Sequence, residues 1–223
     1  MGAGLGSLTL ALAEAGAEVL AVEVDPRLVA ALEEVTAGLP VRVVRADALV
    51  ADWARLLENR FWRMASNLPY NVAVPVVLGL LEGAPRVDPL LVMVQREVGE
   101  RLVAGPGEPG YGAVSLRVAY RASARVVRRV RPEVFWPEPQ VDSVLVLLER
   151  HPPPVDAPET ALFRVIDEGF AQRRKTLTGA LVRLGLSRRA AAEALEEVGL
   201  DPRVRAEALG LEEFARLVQR VGW

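Results

Sequence analysis

The residues of this chain best suited to chemistry are Asn67-Leu68-Pro69-Tyr70. They follow an apolar run, Phe61-Trp62-Arg63-Met64-Ala65-Ser66, and precede a helix-like run from Val72. The Asn67 side-chain oxygen can accept one hydrogen of an exocyclic amine. A backbone carbonyl of the Leu68-Pro69 turn, its direction restricted by the proline ring, can accept the other. Tyr70 offers a face on which a flat base can stack. The set suits methyl transfer to the amino nitrogen of an adenine, and that reaction asks for neither a metal nor a nucleophilic side chain. In isolation the same four residues read as a strand-to-helix turn, where Asn and Pro are ordinary. The neighbouring elements decide between the two readings.

Those elements begin with a glycine loop. Gly2-Ala3-Gly4-Leu5-Gly6 is followed by a helix from about Ser7. Glycines let a backbone turn sharply and approach a ligand at the positive end of a helix. Glu23 ends the next strand-like run, Val19-Leu20-Ala21-Val22-Glu23, where a carboxylate can accept ribose hydroxyls of an adenosine. Asp47, in Ala46-Asp47-Ala48-Leu49, follows a third strand position and can accept from an adenine amine or a hydroxyl. A nicotinamide dinucleotide site is the rival reading. It is disfavoured because Thr9 and Leu10 follow the loop, without the further glycine of the dinucleotide fingerprint. Glycine loop, Glu23, Asp47 and the Asn-Leu-Pro-Tyr turn, in that order, point to an S-adenosylmethionine-dependent methyltransferase. Gly2, Gly4, Gly6, Glu23, Asp47 and Asn67 are the candidate cofactor contacts.

The organisation supports an α/β fold. Runs at 41–45, 61–66 and 90–94 read as further strands, with helix candidates from Pro26, at 52–58 and at 72–82. Such alternation implies a parallel sheet covered by helices on both faces. Runs at 124–130 and 143–148 read as two late strands of an antiparallel edge, separated by a proline-rich stretch. His151-Pro152-Pro153-Pro154 then reads as a linker, dividing the chain into 1–150 and a helical 151–223. Four helices are expected beyond it, the third capped by Ser187 and closed by Gly199.

Composition removes several classes of function. The 223 residues are 51% hydrophobic, enough for one large and one small core. Cysteine is absent, which excludes a disulfide framework, a Cys-ligated metal and a Cys nucleophile. One histidine, His151, excludes a multi-His metal site, so no metal is expected. No uncharged apolar stretch reaches the roughly 18 residues of a membrane span, no signal peptide is evident, and a cytoplasmic protein is the expectation. The net charge of −2 does not advertise nucleic-acid binding. Positive charge is nonetheless clustered: arginines at 117, 121, 125, 128, 129 and 131 face only Glu133, and Arg173-Arg174-Lys175 form a second group. Solvated helix or strand faces are one reading of these clusters. Phosphate contacts, by Arg117, Arg121, Arg128, Arg129, Arg173, Arg174 and Lys175, are the other.

Further stretches carry a resemblance. Gln95-Arg96-Glu97-Val98 with Arg101, Tyr111-Gly112-Ala113-Val114-Ser115, Phe135-Trp136-Pro137-Glu138-Pro139-Gln140-Val141-Asp142-Ser143, Phe170-Ala171-Gln172-Arg173-Arg174-Lys175-Thr176-Leu177 and Arg205-Ala206-Glu207 with Leu209 are specific as a set. With them the chain resembles the ribosomal RNA small-subunit adenine dimethyltransferases over essentially its whole length. The resemblance implies a Rossmann-like methyltransferase domain with a small all-helical C-terminal domain that binds RNA or the ribosome. It implies S-adenosyl-L-methionine as cofactor, Phe135 beside Tyr70 as a stacking face, and the amine clamp of Asn67, Leu68 and Pro69. It also implies a monomer acting on two adjacent adenines near the 3′ end of 16S ribosomal RNA, in the small subunit or its precursor. Macrolide-resistance dimethyltransferases of large-subunit RNA share the catalytic core, but the Arg173-to-Leu177 segment favours the small-subunit type. That segment also argues against a DNA adenine methyltransferase. A non-catalytic assembly factor on the same scaffold stays open. The family carries a further N-terminal segment with the first, central strand. Here Met1 directly precedes the glycines, so a truncated or incompletely observed chain lacking that strand is expected.

Overall fold

A computed structural model describes residues 1–69, 71–136, 138–172 and 174–223. It divides into two compact units, Met1–Gly99 with Arg125–Glu149, and Glu100–Ala124 with Arg150–Trp223. Residues 100–124 thus group with the helical tail, whereas the proline linker alone suggested a break at 150.

The first unit alternates strands and helices. It runs α1 (Ser7–Glu14), β1 (Val19–Glu23), α2 (Pro26–Val35), β2 (Val41–Arg45), α3 (Trp53–Leu56), β3 (Trp62–Asn67), α4 (Ala73–Gly83) and β4 (Val87–Gln95). After α5 (Arg96–Val103) and α6 (Ala113–Arg121) come β5 (Ala122–Val130) and β6 (Ser143–Arg150). β1 pairs with β2 and β3 with β4, both in parallel. β6 runs antiparallel to β4, from Leu90 opposite Leu148 to Gln95 opposite Ser143. The strands form two sheets, β1-β2 and β3-β4-β6-β5. A cleft of about 470 Å3 has Val19, Leu20 and Val22 of β1 and Trp62, Met64 and Ala65 of β3 in its walls.

Local sequence explains the borders. α2 starts where Asp25 caps the helix, its carboxylate accepting from Arg27 N–H at 2.8 Å, with Pro26 in the first turn. α4 buries Val76, Val77, Leu80 and Leu81, an i, i+1, i+4, i+5 set that covers one face of the helix. β4 alternates buried and part-buried residues along Leu90 to Gln95, as a covered central strand should.

The second unit is helical apart from short segments. It holds α7 (Glu159–Ala171), α8 (Leu177–Arg183), α9 (Arg188–Glu197) and α10 (Leu211–Val221), with α6 packed among them. Ser187 caps α9 by accepting from Ala190 N–H at 3.1 Å. Leu162, Ile166, Leu177, Leu181, Leu195 and Phe214 are fully buried at its centre. Tyr111 sits at the rim of this core, edge-on to Phe170 with ring centres 5.9 Å apart. Its hydroxyl donates to the Leu209 carbonyl at 2.6 Å, and burial pushes the phenol well above its ordinary pKa. Four residues past it, Ser115 Oγ accepts from Gly112 N–H at 3.2 Å and donates to the Arg101 carbonyl at 2.6 Å, fixing the start of α6. The Tyr-Gly-x-x-Ser segment therefore fastens α6 to its neighbours through two buried hydroxyls. Tyr111→Phe removes one donor and orphans the Leu209 carbonyl. We expect a loss of about 1–2 kcal/mol, read as a melting-temperature drop of roughly 2–8 °C for a chain of this size. A variant that melts with the wild type would show that this hydroxyl contributes nothing.

Candidate functional site

Unit one brings the glycine loop against the Asn-Leu-Pro turn. The Ala3 N–H donates to the Val22 carbonyl of β1 at 3.3 Å. Ser66 Oγ, on β3, donates to the Met1 carbonyl at 2.6 Å. The loop is thus tied to β1 and to β3, the strand that ends in Asn67. At Gly2 the backbone has φ +60°, and a Cβ there would lie 3.3 Å from Pro69 Cδ. At Gly6 φ is +92° and a Cβ would lie 2.7 Å from Leu32 Cδ1. Only glycine meets both demands, a left-handed backbone and a close approach. Gly4, with φ +56°, completes the loop.

Glu23 has a role that spacing alone does not reveal. Its side chain is buried, and both carboxylate oxygens hold backbone amides. Oε2 accepts from Gly4 N–H at 2.9 Å, and Oε1 from Val24 and Asp25 N–H at 2.8 and 3.1 Å. Burial acts to raise its pKa, but the bonds from Gly4, Asp25 and Val24 outweigh it and hold the group below the ordinary carboxylate value. A carboxylate has about four acceptor positions, so three are committed to shaping the loop. The expectation that Glu23 accepts a whole ribose diol is narrowed to one remaining lone pair on Oε2. This carboxylate is first a brace for the glycine loop.

The turn itself is well anchored. Leu68 is buried and its N–H donates to the Met93 carbonyl of β4 at 3.1 Å. Asn67 is exposed beside it at the end of β3, opposite Met93. The Pro69 carbonyl accepts from Val72 N–H at 3.2 Å. Tyr70 lies outside the described residues, as do Pro137 and Arg173. Asp47 is exposed beyond β2; one oxygen accepts from Leu49 N–H at 2.9 Å. β2 is joined to the Glu23 end of β1 by the Ala46 N–H, which donates to the Glu23 carbonyl at 3.0 Å. Glu23 and Asn67 thus end β1 and β3, Asp47 lies in the loop after β2, and the glycine loop is tied to both β1 and β3, at the strand ends where doubly wound sheets bind ligands.

Phe135 follows a single turn of 3-10 helix, Pro132–Val134, and is half-buried. Arg128 and Arg129 are exposed on β5, and Arg174 and Lys175 are exposed between α7 and α8. Two of the arginines expected at phosphates are engaged inside the second unit. Arg117 pairs with Asp167 at 2.6 Å and lies over the Phe163 ring at 4.4 Å. Arg121 pairs with Glu159 and lies over both Tyr120 and Phe163. Their stems and guanidinium planes cover the core of the second unit, so they hold α6 to α7. Their i, i+4 spacing on one helix face was the available signal. Among the described residues no group of three or more His, Cys, Asp or Glu could hold a metal ion.

The sequence profile of the family described as ribosomal RNA adenine dimethylase matches residues 1–222. A protein named ribosomal RNA small subunit methyltransferase A from Thermobifida fusca is 48% identical over 98% of this chain, which spans 78% of that relative. One of the same name from Moorella thermoacetica is 43% identical over 97% of the chain and 80% of the relative. Two solved structures share the fold. A dimethyladenosine transferase from Plasmodium falciparum aligns with a TM-score of 0.78 at 20% identity, over 99% of this chain and 87% of that one. The 23S rRNA methyltransferase ErmE aligns with 0.71 at 24% identity, over 100% and 89%. The fold is accordingly a Rossmann-like methyltransferase unit with a helical companion, and the chain belongs to the ribosomal RNA adenine dimethylase family.

Proposed function

We propose that this chain dimethylates N6 of two adjacent adenines near the 3′ end of 16S ribosomal RNA, using S-adenosyl-L-methionine, during small-subunit biogenesis in the cytoplasm. The observation that carries the reading is the seating of Gly2 against Pro69, which joins a cofactor-type loop to an amine clamp. Identity of 43–48% to relatives named for the small subunit favours that RNA over the large-subunit alternative. The likeness to ErmE is one of fold alone.

The residues present fit the cofactor. Gly2, Gly4 and Gly6 form an open backbone loop at the start of α1, Asp47 offers an exposed carboxylate, and Glu23 keeps one acceptor position. When bound, the cofactor supplies an activated methyl group on a sulfonium, with a neutral leaving group. The chain's own task is to present the amine. The lone pair of an adenine amino nitrogen is delocalised into the ring. Asn67 Oδ1 accepts one of its hydrogens and the Leu68 carbonyl the other, since the Pro69 carbonyl is already engaged by Val72. Both acceptors favour a pyramidal nitrogen whose lone pair points out of the ring plane. Positioning and electrostatics then supply most of the rate. The base must leave its stack to reach the clamp, and Tyr70 and Phe135 are assigned as the faces that receive it. The test is methyl transfer from labelled cofactor to small-subunit RNA, with dimethyladenosine identified by mass after digestion. No label in that RNA, or label in large-subunit RNA instead, would overturn the reading.

Phosphate contacts fall to Arg128, Arg129, Arg173, Arg174 and Lys175, and a monomer suffices for all of them. In a titration of RNA affinity against salt, each lost contact reduces the slope of log K against log salt by about 0.7 for single strands. The double variant Arg128→Ala/Arg129→Ala therefore flattens the slope by about 1.4 units. An Arg117→Ala variant changes melting temperature and leaves the slope in place. The reverse pattern would return Arg117 to the RNA.

A further inference from the structure

We propose that Trp136 is a stacking platform for an unpaired base that flanks the adenine being methylated. The inference rests on the RNA reading above and adds a substrate contact to it. The chain has four tryptophans, and three are used inside the fold. Trp53 is buried. Trp62 donates through Nε1 to the Leu57 carbonyl at 3.2 Å and carries Arg60 over its ring. Trp223 carries Arg164 over its ring. Trp136 is 99% exposed, and among the described residues no ring or cation covers it. A chain with only 5% aromatic residues has left its largest apolar side chain entirely in water.

The backbone presents this indole in a defined way. The 3-10 turn Pro132–Val134 closes with Phe135 N–H donating to the Pro132 carbonyl at 3.0 Å. Phe135 then takes an extended conformation, φ −108° and ψ 150°. Phe135 is half-buried whereas Trp136 stands wholly in water, so the two rings are assigned to two different bases. Glu133 and Glu138, both exposed, flank the pair and repel phosphate, so the indole acts through a base face and not through the sugar-phosphate backbone. Arg128 and Arg129 on the preceding strand supply the positive charge that a strand of RNA needs nearby. Aromatic faces that take single-stranded bases without reading their edges work in this manner.

The test uses the full chain and a short single-stranded RNA with two adjacent adenines, one neighbour replaced by 2-aminopurine. Base stacking on an aromatic residue corresponds to a loss of about 5- to 150-fold on its removal. Trp136→Ala is expected to raise KM for the RNA by that factor with kcat little changed, and to abolish the quenching of 2-aminopurine on binding. Trp136→Phe restores most of both, and Trp136→Leu does not. A KM for Trp136→Ala within twofold of wild type, on an enzyme that methylates, overturns the platform and leaves the dimethyltransferase reading intact. Equal rescue by Leu and Phe also overturns it, because plain apolar contact would then suffice. A wild-type chain with no methyl transfer at all removes the function and this inference together.

Discussion

Asn67→Ala is expected to lower kcat/KM for adenine methylation by about 10²- to 10³-fold, the cost of removing one preorganised polar contact to a reacting group. Affinity for the RNA should stay within a few-fold of wild type, because phosphate contacts dominate binding and Asn67 makes none. Stability should hardly move. Asn67 is exposed, and the turn is anchored by Leu68, whose side chain is buried and whose N–H is bonded to Met93. Surface substitutions away from such anchors stay within about 0.5 kcal/mol. Asn67→Asp separates geometry from identity, because it keeps an acceptor at the same reach and should retain more activity than Ala. Single-turnover rates, RNA binding by filter retention and melting curves measure the three quantities. If Asn67→Ala methylates at the wild-type rate, the clamp is not where the chemistry is controlled. If it fails to bind RNA, Asn67 holds the substrate and does not polarise the amine.

Much of the frame that carries this clamp was legible in the sequence, for identifiable reasons. The sequence shows β1 at its observed limits, because five apolar or strand-end residues lie between a glycine and a proline, which stop it on both sides. α2 and α9 declare their starts through Asp25-Pro26 and Ser187. α6 was hidden. Its sequence, Ala-Val-Ser-Leu-Arg-Val-Ala-Tyr-Arg, merges into the arginine-rich β5 that follows, and by composition the whole stretch is one positive run. A helix whose arginines cover aromatic rings has no solvated polar face to show. The grouping of 100–124 with the tail has the same origin, since Tyr111 and Ser115 are tied to partners through hydroxyl bonds that no periodicity reports. Composition marks charge and apolarity along the chain; it does not mark which charges are spent on packing.

The site divides in the same way. Residue type and order were enough to select Asn67, the glycines, Glu23 and Asp47, because a loop at a helix start and carboxylates at strand ends are local features. The contact between Gly2 and Pro69 depends on β1 and β3 being held by the same loop, which is a property of the assembled unit. The brace formed by Glu23 depends on the left-handed conformation of Gly4, which points that amide back at the strand end.

That brace makes a second large effect expected, at Glu23→Gln. A glutamine carbonyl can keep the Val24 and Asp25 amides, but its NH2 then faces the Gly4 N–H, donor against donor at the 2.9 Å now spanned by a bond. The opposite rotamer keeps Gly4 and sets the NH2 against two amides, which is worse. One charge-assisted bond is lost and one amide is left unsatisfied in a buried place, a cost of about 2–3 kcal/mol. The melting temperature should fall by roughly 4–12 °C, and cofactor affinity should fall with it, since the loop that receives the cofactor loses its tie to β1. The pH dependence fixes the cause. The folded state holds Glu23 below its unfolded pKa, so its charge contributes stability that is fully present above the unfolded value of about 4.3. That contribution is lost as pH falls through the lower folded value. The gap in melting temperature between wild type and Glu23→Gln should therefore be constant from pH 7 to about pH 5 and narrow on further acidification. A gap that keeps its size at pH 3 would mean that the shape of the side chain, and not its charge, holds the loop. Glu23→Ala then serves as the limiting case: it leaves all three amides without their acceptor, and should bind cofactor more weakly than Gln at every pH.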